Sequence, residues 1–540
     1  MQHRERALAR LGDDSFDAIV IGGGINGAVS TLALASSGAR VACVTRGDFG
    51  GGTSQETSNL VWGGFKYLEG YEISLVASLC ASRNQLARAF PSRLVETRFL
   101  ATLDRNSPYS PWFATMGAYA YWLLGRFQTG RPRHRSSSWV ATAEPSVDTT
   151  AARGAVEYSD YVLVDHDARF VAQLLFDAAD RGAVISNYTE VVGAERAGGR
   201  WCVQLVDECS GSEIEASANL LVNATGPRLH DVSERVASQT AKRIVLSKGV
   251  HLIVPQVTAS RRVLAFFDDS RRLFYVLPMG HRSMIGTTDS RTEDPDERVT
   301  DEDRRNVLDQ INKRLRLPEP LGIDDVIAER VGVRPLVVDR SASVGDEEWT
   351  ALSRRHYVEV DRERAVISIL GGKLSDCLNV GGEVLEATAG LGIGCGRESD
   401  EQWFGEPSAT SREDFAREAA AAGLDWKPGF EPEPTYAAVL WRRYGHRARR
   451  VVELVRDAPQ LGLSMMGLAD YCEAEITLVG ETERIVTLDD FLRRRTPLAQ
   501  LNRPADLAAD QGVRRAAELL LGERGLVELT GGARPGSDPA

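Results

Sequence analysis

The feature that most constrains this chain is an apolar run that opens directly into a glycine turn: Phe16-Asp17-Ala18-Ile19-Val20-Ile21, then Gly22-Gly23-Gly24-Ile25-Asn26-Gly27. An Ala- and Leu-rich stretch follows as far as Ser37, and a second apolar segment, 40–45, begins after Gly38. The order predicts strand, tight turn, helix and returning strand, at the length of a βαβ unit. Gly22-x-Gly24-x-x-Gly27 lies where a dinucleotide pyrophosphate needs it. Its glycines permit the turn, the approach of backbone to phosphate and close packing of helix on strand, and the helix N-terminus favours negative charge. The acidic residue usual about 20 positions further on, which holds a ribose hydroxyl, is missing. Thr45 ends the second strand instead and offers one hydrogen bond there.

At 540 residues the chain exceeds one ordinary core, so two or three domains are expected. With 43% hydrophobic and 26% charged residues, and no apolar run of about 18 or more, it reads as a folded soluble protein without a transmembrane anchor. Residues 1–14 are charged and lack the apolar stretch of a secretory signal, so a cytoplasmic location is expected. The seven cysteines are scattered without a Cys-x-x-Cys pair, which suits reduced thiols and predicts neither a disulfide framework nor a metal site. A formal charge of -12 disfavours nucleic acid as a partner but leaves room for a local basic pocket that grips a small anion.

Strands are predicted at 156–164, 184–195 and 201–206 and a helix at 168–181, an alternation that favours an α/β or mixed architecture. The segment 219–227 reads as a strand ending in a small-residue turn at Gly226, where backbone can approach a ligand. Runs at 250–254, 263–267 and 273–277 predict an antiparallel sheet in a second subdomain, and 366–370 returns as a strand before Gly371-Gly372-Lys373. Beyond about residue 400 the texture becomes helical, with a helix at 435–455 and a capping box at Thr487-Leu488-Asp489-Asp490 opening another through 495. Residues 1–400 are thus expected to interleave a cofactor domain and a substrate domain, 401–530 to form a helical C-terminal domain, and 531–540 a disordered tail.

The segment Thr53-Ser54-Gln55-Glu56-Thr57-Ser58-Asn59, continuing to Trp62-Gly63-Gly64-Phe65-Lys66-Tyr67-Leu68-Glu69, resembles the FAD-dependent glycerol-3-phosphate dehydrogenase family. The resemblance extends through Asn223-Ala224-Thr225-Gly226-Pro227, Ser247-Lys248-Gly249-Val250-His251, Gly332-Val333-Arg334-Pro335-Leu336, Ser353-Arg354 and Gly371-Gly372-Lys373-Leu374 to Asp490-Phe491-Leu492-Arg493-Arg494-Arg495-Thr496. It implies a glutathione-reductase-like, Rossmann-type FAD domain, interleaved with an antiparallel β substrate domain and followed by an α-helical C-terminal domain. The cofactor implied is FAD, held by Gly22, Gly24, Asn26, Gly27 and Thr45, by Thr53, Ser54, Ser58 and Gly63, and by Val191, Gly226, Gly372 and Leu374. The reaction implied is hydride transfer from sn-glycerol 3-phosphate to FAD, giving dihydroxyacetone phosphate, with electrons passing to quinone or another acceptor. His251, Arg334 and Lys373 are implied as catalytic, and Lys66, Tyr67 and Arg354 as substrate-binding. Contact with the cytoplasmic face of a membrane is expected from the aromatic stretch 112–127 and its flanking arginines, and a homodimer is among the expected assemblies.

The chain departs from the family pattern at several places. Trp62-Gly63-Gly64-Phe65-Lys66 stands where the family has His-Gly-Gly-Leu-Arg, replacing a bidentate guanidinium with a point charge. Ser375-Asp376-Cys377-Leu378 replaces Thr-Thr-Tyr-Arg, removing one Arg and adding a carboxylate that penalises phosphate binding if it faces the substrate. Two further readings follow: a flavin dehydrogenase or oxidase for another polyol phosphate, a hydroxy acid or an amine, and a flavin-binding regulatory subunit without turnover. Retention of His251, Arg334, Arg354 and Lys373 argues against the last, since holding FAD alone does not need them.

Overall fold

The computed structural model describes residues 2–105, 107–340, 355–393, 402–429 and 431–531. Two sheets organise residues up to Gly390. The first has eight strands, six of them in the order Tyr357–Asp361, Val366–Leu370, Glu213–Asn223, Ser15–Ile21, Val41–Val44 and Val184–Ser186. From Val366–Leu370 to Val184–Ser186 every neighbour is parallel. Such strands are buried on both faces, which is why Ala18-Ile19-Val20-Ile21 is apolar throughout and fully or nearly fully buried. Helix Ile25–Ser36 covers one face against helices Asp167–Asp180 and Cys377–Gly390. Ile21 pairs with both Val44 and Asn223, so the carboxyl ends of three strands meet where strand order reverses, the place where open α/β sheets bind ligands.

The second sheet has ten strands and is mostly antiparallel, with one parallel pair between Val263–Phe267 and Leu94–Asp104. Its centre is the long pairing of Lys242–Pro255 with Ala328–Asp339. From Ala409 onward the chain is helical, around a core that includes Phe415, Trp441, Val451, Ile476 and Phe491.

Several elements differ from the sequence reading for local reasons. The segment 184–195 is two strands: Tyr188 at φ 52° turns the chain, so Val184–Ser186 joins the parallel sheet while Thr189–Ala197 pairs antiparallel with Arg200–Asp207. The helix read at 435–455 breaks at Gly445, which has φ 57°, into Tyr436–Tyr444 and Arg449–Asp457. The charged N-terminus is a helix, Gln2–Asp13, that buries Ala7 and Leu11 and pairs Arg4 with Asp207. Arg354 and Cys395 lie outside the described residues, as do residues 532–540 of the tail.

Candidate active site

The glycine turn folds as its sequence dictates. Gly22 has φ 110°, and a Cβ there would stand 2.7 Å from the Ala224 carbonyl oxygen. A Cβ on Gly27 would overlap the Gly22 carbonyl oxygen. Gly24 is the N-cap of helix Ile25–Ser36, and the next amide, of Ile25, donates to Ser54 Oγ at 3.0 Å. Asn26 Nδ2 donates to the Gly371 carbonyl at 2.9 Å, and a Cβ on Gly372 would lie 3.1 Å from Asn26 Oδ1, a buried oxygen without a protein donor. The strand-end turns at Gly22, Gly226 and Gly372 and the N-terminus of the first helix therefore surround one crevice. Thr45 stands against the turn itself, a Cβ on Gly23 falling 2.8 Å from its Cγ2, and its carbonyl accepts from the Thr189 amide two residues before Val191, whose own carbonyl accepts from Arg235.

The remaining cofactor candidates divide. Ser54 caps the helix, and Thr53 Oγ1 donates to the Val333 carbonyl at 2.6 Å, which ties the 53–58 loop to the second sheet. Leu374 is buried beside Gly372. The Gly63 amide is turned inward and donates to Tyr121 Oη at 2.7 Å. Ser58 lines a broad cleft of about 1380 Å³ between the second sheet and the C-terminal helices, a space that includes neither the glycine turn nor His251.

His251 stands on the long strand pairing. Because side chains alternate along a strand, Ser247, Gly249 and His251 share one face with Arg334, Gly332 and Arg330, to which they are respectively paired. Gly249 leaves the space in which the Arg334 guanidinium lies, since a Cβ there would collide with it. Arg334 Nη2 donates to Thr287 Oγ1 at 3.0 Å, and its Nη1 is 3.5 Å from Asp289 Oδ1. Lys248, on the opposite face, pairs with Glu297 and Asp303, outside this group. His251 is buried, and neither ring nitrogen has a protein partner. Burial, reinforced by the Arg330 and Arg334 charges, holds its pKa well below the usual imidazole value, so the ring is a neutral acceptor at ordinary pH.

Phe65, Tyr67 and Leu68 pack on the apolar cluster of the second sheet that contains Ile253, Tyr275 and Met284, two residues along the strand from His251 on the same face. The Lys373 ammonium lies 4.2 Å from the centre of the Tyr67 ring, and Trp62 stacks on that ring from 6.1 Å. Lys66 occupies the same turn, half-buried. The structure thus brings Tyr67 and Lys373 into contact, with Lys66 adjacent to Tyr67 in the same turn. Asp376, although only three residues beyond Lys373, has both carboxylate oxygens engaged by Ser82, Asn379 and His356, so the expected penalty from a carboxylate facing a bound phosphate loses its premise.

Arg330 is a member of this buried group that motif reading missed. It is fully buried, pairs with Asp167 at 2.6 Å, donates to the Gln55 carbonyl, and stands directly opposite His251. The alternation Arg330-x-Gly332-x-Arg334 on one strand face is the signal that could have found it. Arg493 reaches the same Gln55 carbonyl at 2.8 Å, and Arg494 and Arg495 close on Asp48 at 2.9 and 2.7 Å. The C-terminal arginines therefore clamp the loop that borders the crevice.

The family profile described as FAD dependent oxidoreductase matches residues 17–372. The chain belongs to the FAD-dependent oxidoreductase family. A second profile, for the C-terminal domain of alpha-glycerophosphate oxidase, matches residues 407–524. Among relatives, the chain is 30% identical over 504 residues to a D-erythritol 1-phosphate dehydrogenase of Brucella abortus, covering 89% of this chain and 94% of that one. It is also 30% identical to an aerobic glycerol-3-phosphate dehydrogenase of Escherichia coli, covering 89% and 93%. Its fold is similar to that of a glycerol-3-phosphate dehydrogenase from Bacillus halodurans complexed with FAD, with a TM-score of 0.72 and 23% identity over 99% of both chains. The crevice fits the flavin dinucleotide the family carries: Gly24 leaves open the helix N-terminus where a pyrophosphate would sit, the close packing at Gly22 and Gly27 brings turn and helix together beneath it, and Asn26 Oδ1 is a buried acceptor that a hydroxyl or N–H of the cofactor would satisfy.

Proposed function

We propose that this protein oxidises the secondary alcohol of a phosphorylated polyol, glycerol 3-phosphate in the first instance, to the corresponding ketone. The observation that carries the reading is the neutral, unpartnered imidazole of His251 on one strand face with Arg334, in a sheet on which packs the turn that bears Lys66 and sets Tyr67 against Lys373. Bound FAD supplies a two-electron acceptor for the hydride leaving the carbinol carbon. His251 takes the hydroxyl proton, and its depressed pKa keeps it able to do so. Lys66, Lys373, Arg334 and Arg354 hold the dianionic phosphate, and that remote binding energy positions the carbon to be oxidised. Gly22, Gly24, Asn26, Gly27, Gly226 and Gly372 line the pyrophosphate crevice.

A four-carbon substrate is the second reading, supported by the Brucella abortus relative, whose name gives erythritol 1-phosphate, and by Lys66, a point charge where a bidentate contact is usual. Anaerobic bleaching of the flavin by a panel decides between them. Glycerol 3-phosphate is expected to reduce it faster than erythritol phosphate, and both far faster than glycerol, erythritol, a hydroxy acid or glycine. Bleaching by an amine or hydroxy acid alone overturns the reading.

Electron delivery to quinone at a membrane surface belongs to the same proposal. Helix Pro111–Leu124 presents Trp112 and Met116, 68% and 67% exposed, with Phe113, Leu123 and Phe127 also outward and Arg126, Arg131 and Arg133 nearby in sequence. Among the described residues no helix is long and apolar enough to cross a membrane, so the fitting mode is interfacial. The protein is expected to sediment with vesicles containing anionic lipid and quinone, and Trp112→Ser with Met116→Ser to release it. Protein that stays in the supernatant removes this part of the proposal.

A further inference from the structure

The buried carboxylate of Asp376 takes no part in hydride transfer, yet it joins the segments that carry the pocket's lysines. Its Oδ1 accepts from Ser82 Oγ and Asn379 Nδ2, both at 2.8 Å, and its Oδ2 from His356 Nδ1 at 2.7 Å. The other ring nitrogen of His356 meets Glu383 Oε1 at 3.0 Å. Burial opposes ionisation of both partners, but the mutual hydrogen bond and charge win: the carboxyl sits below its usual range and the imidazole above its own. Each partner thus favours the charged form of the other, and the pair is held between helix Ile73–Ala89, helix Cys377–Gly390 and the residue before strand Tyr357–Asp361.

Those attachments converge on the anion pocket. Helix Ile73–Ala89, which supplies Ser82, packs against the Phe65–Leu68 turn that bears Lys66 and Tyr67. Asp376 ends the turn Leu374–Asp376, whose N-cap is Lys373, and its amide donates to the Lys373 carbonyl at 3.0 Å. Lys373 in turn lies over the Tyr67 ring. A single carboxylate therefore fastens both sides of the Lys373–Tyr67 contact. We propose that Asp376, acting through Ser82 and His356, is the positioning residue that sets the spacing of Lys66, Tyr67 and Lys373 around the substrate's phosphate. This rests on the reading of those three residues as the anion pocket. The chemistry supports it: removing one partner of a buried ion pair strands the other charge, and displacement of a binding group by about 1 Å is enough to cost a large factor in productive binding.

The test uses FAD-loaded protein and two variants that keep a polar side chain, Asp376→Asn and Asp376→Thr, with His356→Gln and the double variant Asp376→Asn/His356→Gln. Two readouts are independent of each other. The first is the rate of Lys373 acetylation by acetic anhydride without substrate, followed by peptide mass spectrometry against the exposed Lys427. The second is the division of the effect between KM and kcat for whichever phosphorylated polyol reduces the wild type. Acetylation of Lys373 is expected to accelerate about threefold or more, and KM to rise about tenfold with kcat nearly unchanged, the double variant being no worse than Asp376→Asn. Unchanged acetylation with unchanged KM, even at a lowered melting temperature, overturns the proposal and leaves a purely structural ion pair. Faster acetylation in a protein that no phosphorylated polyol reduces upholds the positioning role and overturns the substrate reading instead.

Discussion

Gly24→Val is expected to yield a folded, colourless protein, and Gly27→Ala a protein that does not accumulate in folded form. The two glycines are three residues apart and differ in what stands over them. A Cβ at Gly24 meets only Ser54 Oγ, at 3.1 Å, the end of a side chain that can rotate away. Valine there fills the space above the helix N-terminus that a pyrophosphate must enter, so binding is lost while the sheet persists. A Cβ at Gly27 overlaps the Gly22 carbonyl oxygen, which belongs to the backbone of the central strand's turn and cannot rotate away. Relief requires helix Ile25–Ser36 to lift from a sheet whose core includes Ala28, Val29 and Leu32, and overpacking of this kind costs about 1–3 kcal/mol or more. Flavin absorbance after purification and circular dichroism of the same samples separate the outcomes. Retention of flavin by Gly24→Val would mean that the cofactor lies elsewhere.

The strand, turn and first helix were legible because everything that forms them is local: an apolar run, glycines where a Cβ collides, and the returning strand a helix-length away. The capping box at Thr487 was legible for the same reason, and it is present, with Thr487 N donating to Asp490 Oδ2 at 2.8 Å and Asp490 N to Thr487 Oγ1 at 3.3 Å. Breaks within elements were less so. Tyr188 itself, set between Asn187 and Thr189, does not announce a positive φ, and the helical pattern read over 435–455 runs on across Gly445. The N-terminal helix was hidden by its charge, since only one in four of its residues faces the core. Asp165 and Arg169, close enough in sequence to suggest a pair, are salt-bridged to Arg442 and Glu483 of the C-terminal region.

That last case explains why the site was only partly readable. His251, Arg334 and Lys373 were reached through a resemblance, motif by motif, whereas the contacts that place them and the loop beside them join residues tens to hundreds of positions apart. Gln55 receives Arg330 and Arg493, and Asp48 receives Arg494 and Arg495, across separations that no window of sequence spans. Periodicity could have supplied more. With His251 on a strand, residues two and four positions away share its face, and the Arg-x-Gly-x-Arg of the partner strand marks the face where cations gather. Asp376 shows the opposite limit: a carboxylate read as an intruder on phosphate proves to be tied into an ion pair whose partner, His356, carried no motif.

His251→Asn is expected to lower the rate of anaerobic flavin reduction by about 10²–10⁴-fold, the usual range for loss of a positioned general base, with flavin content unchanged. Asparagine preserves polarity and approximate volume but cannot take the alcohol proton. The pH dependence has a definite sign. A folded pKa held well below 6.5 means that the ring stays neutral as pH falls through 6.5, so single-turnover reduction at saturating substrate should remain flat there and decline only at lower pH. A limb centred at 6.5 would show an imidazole in contact with solvent, contrary to its burial. Lys373→Ala and Arg334→Ala should behave differently, each losing more than about 2 kcal/mol in kcat/KM with the flavin spectrum intact, because a desolvated charge-assisted contact is removed but the base remains. If His251→Asn reduces as fast as wild type while the two cation variants fail, the proton goes to another acceptor, and Tyr275, which lies in the same cross-strand row through Gly286, is the residue to test next.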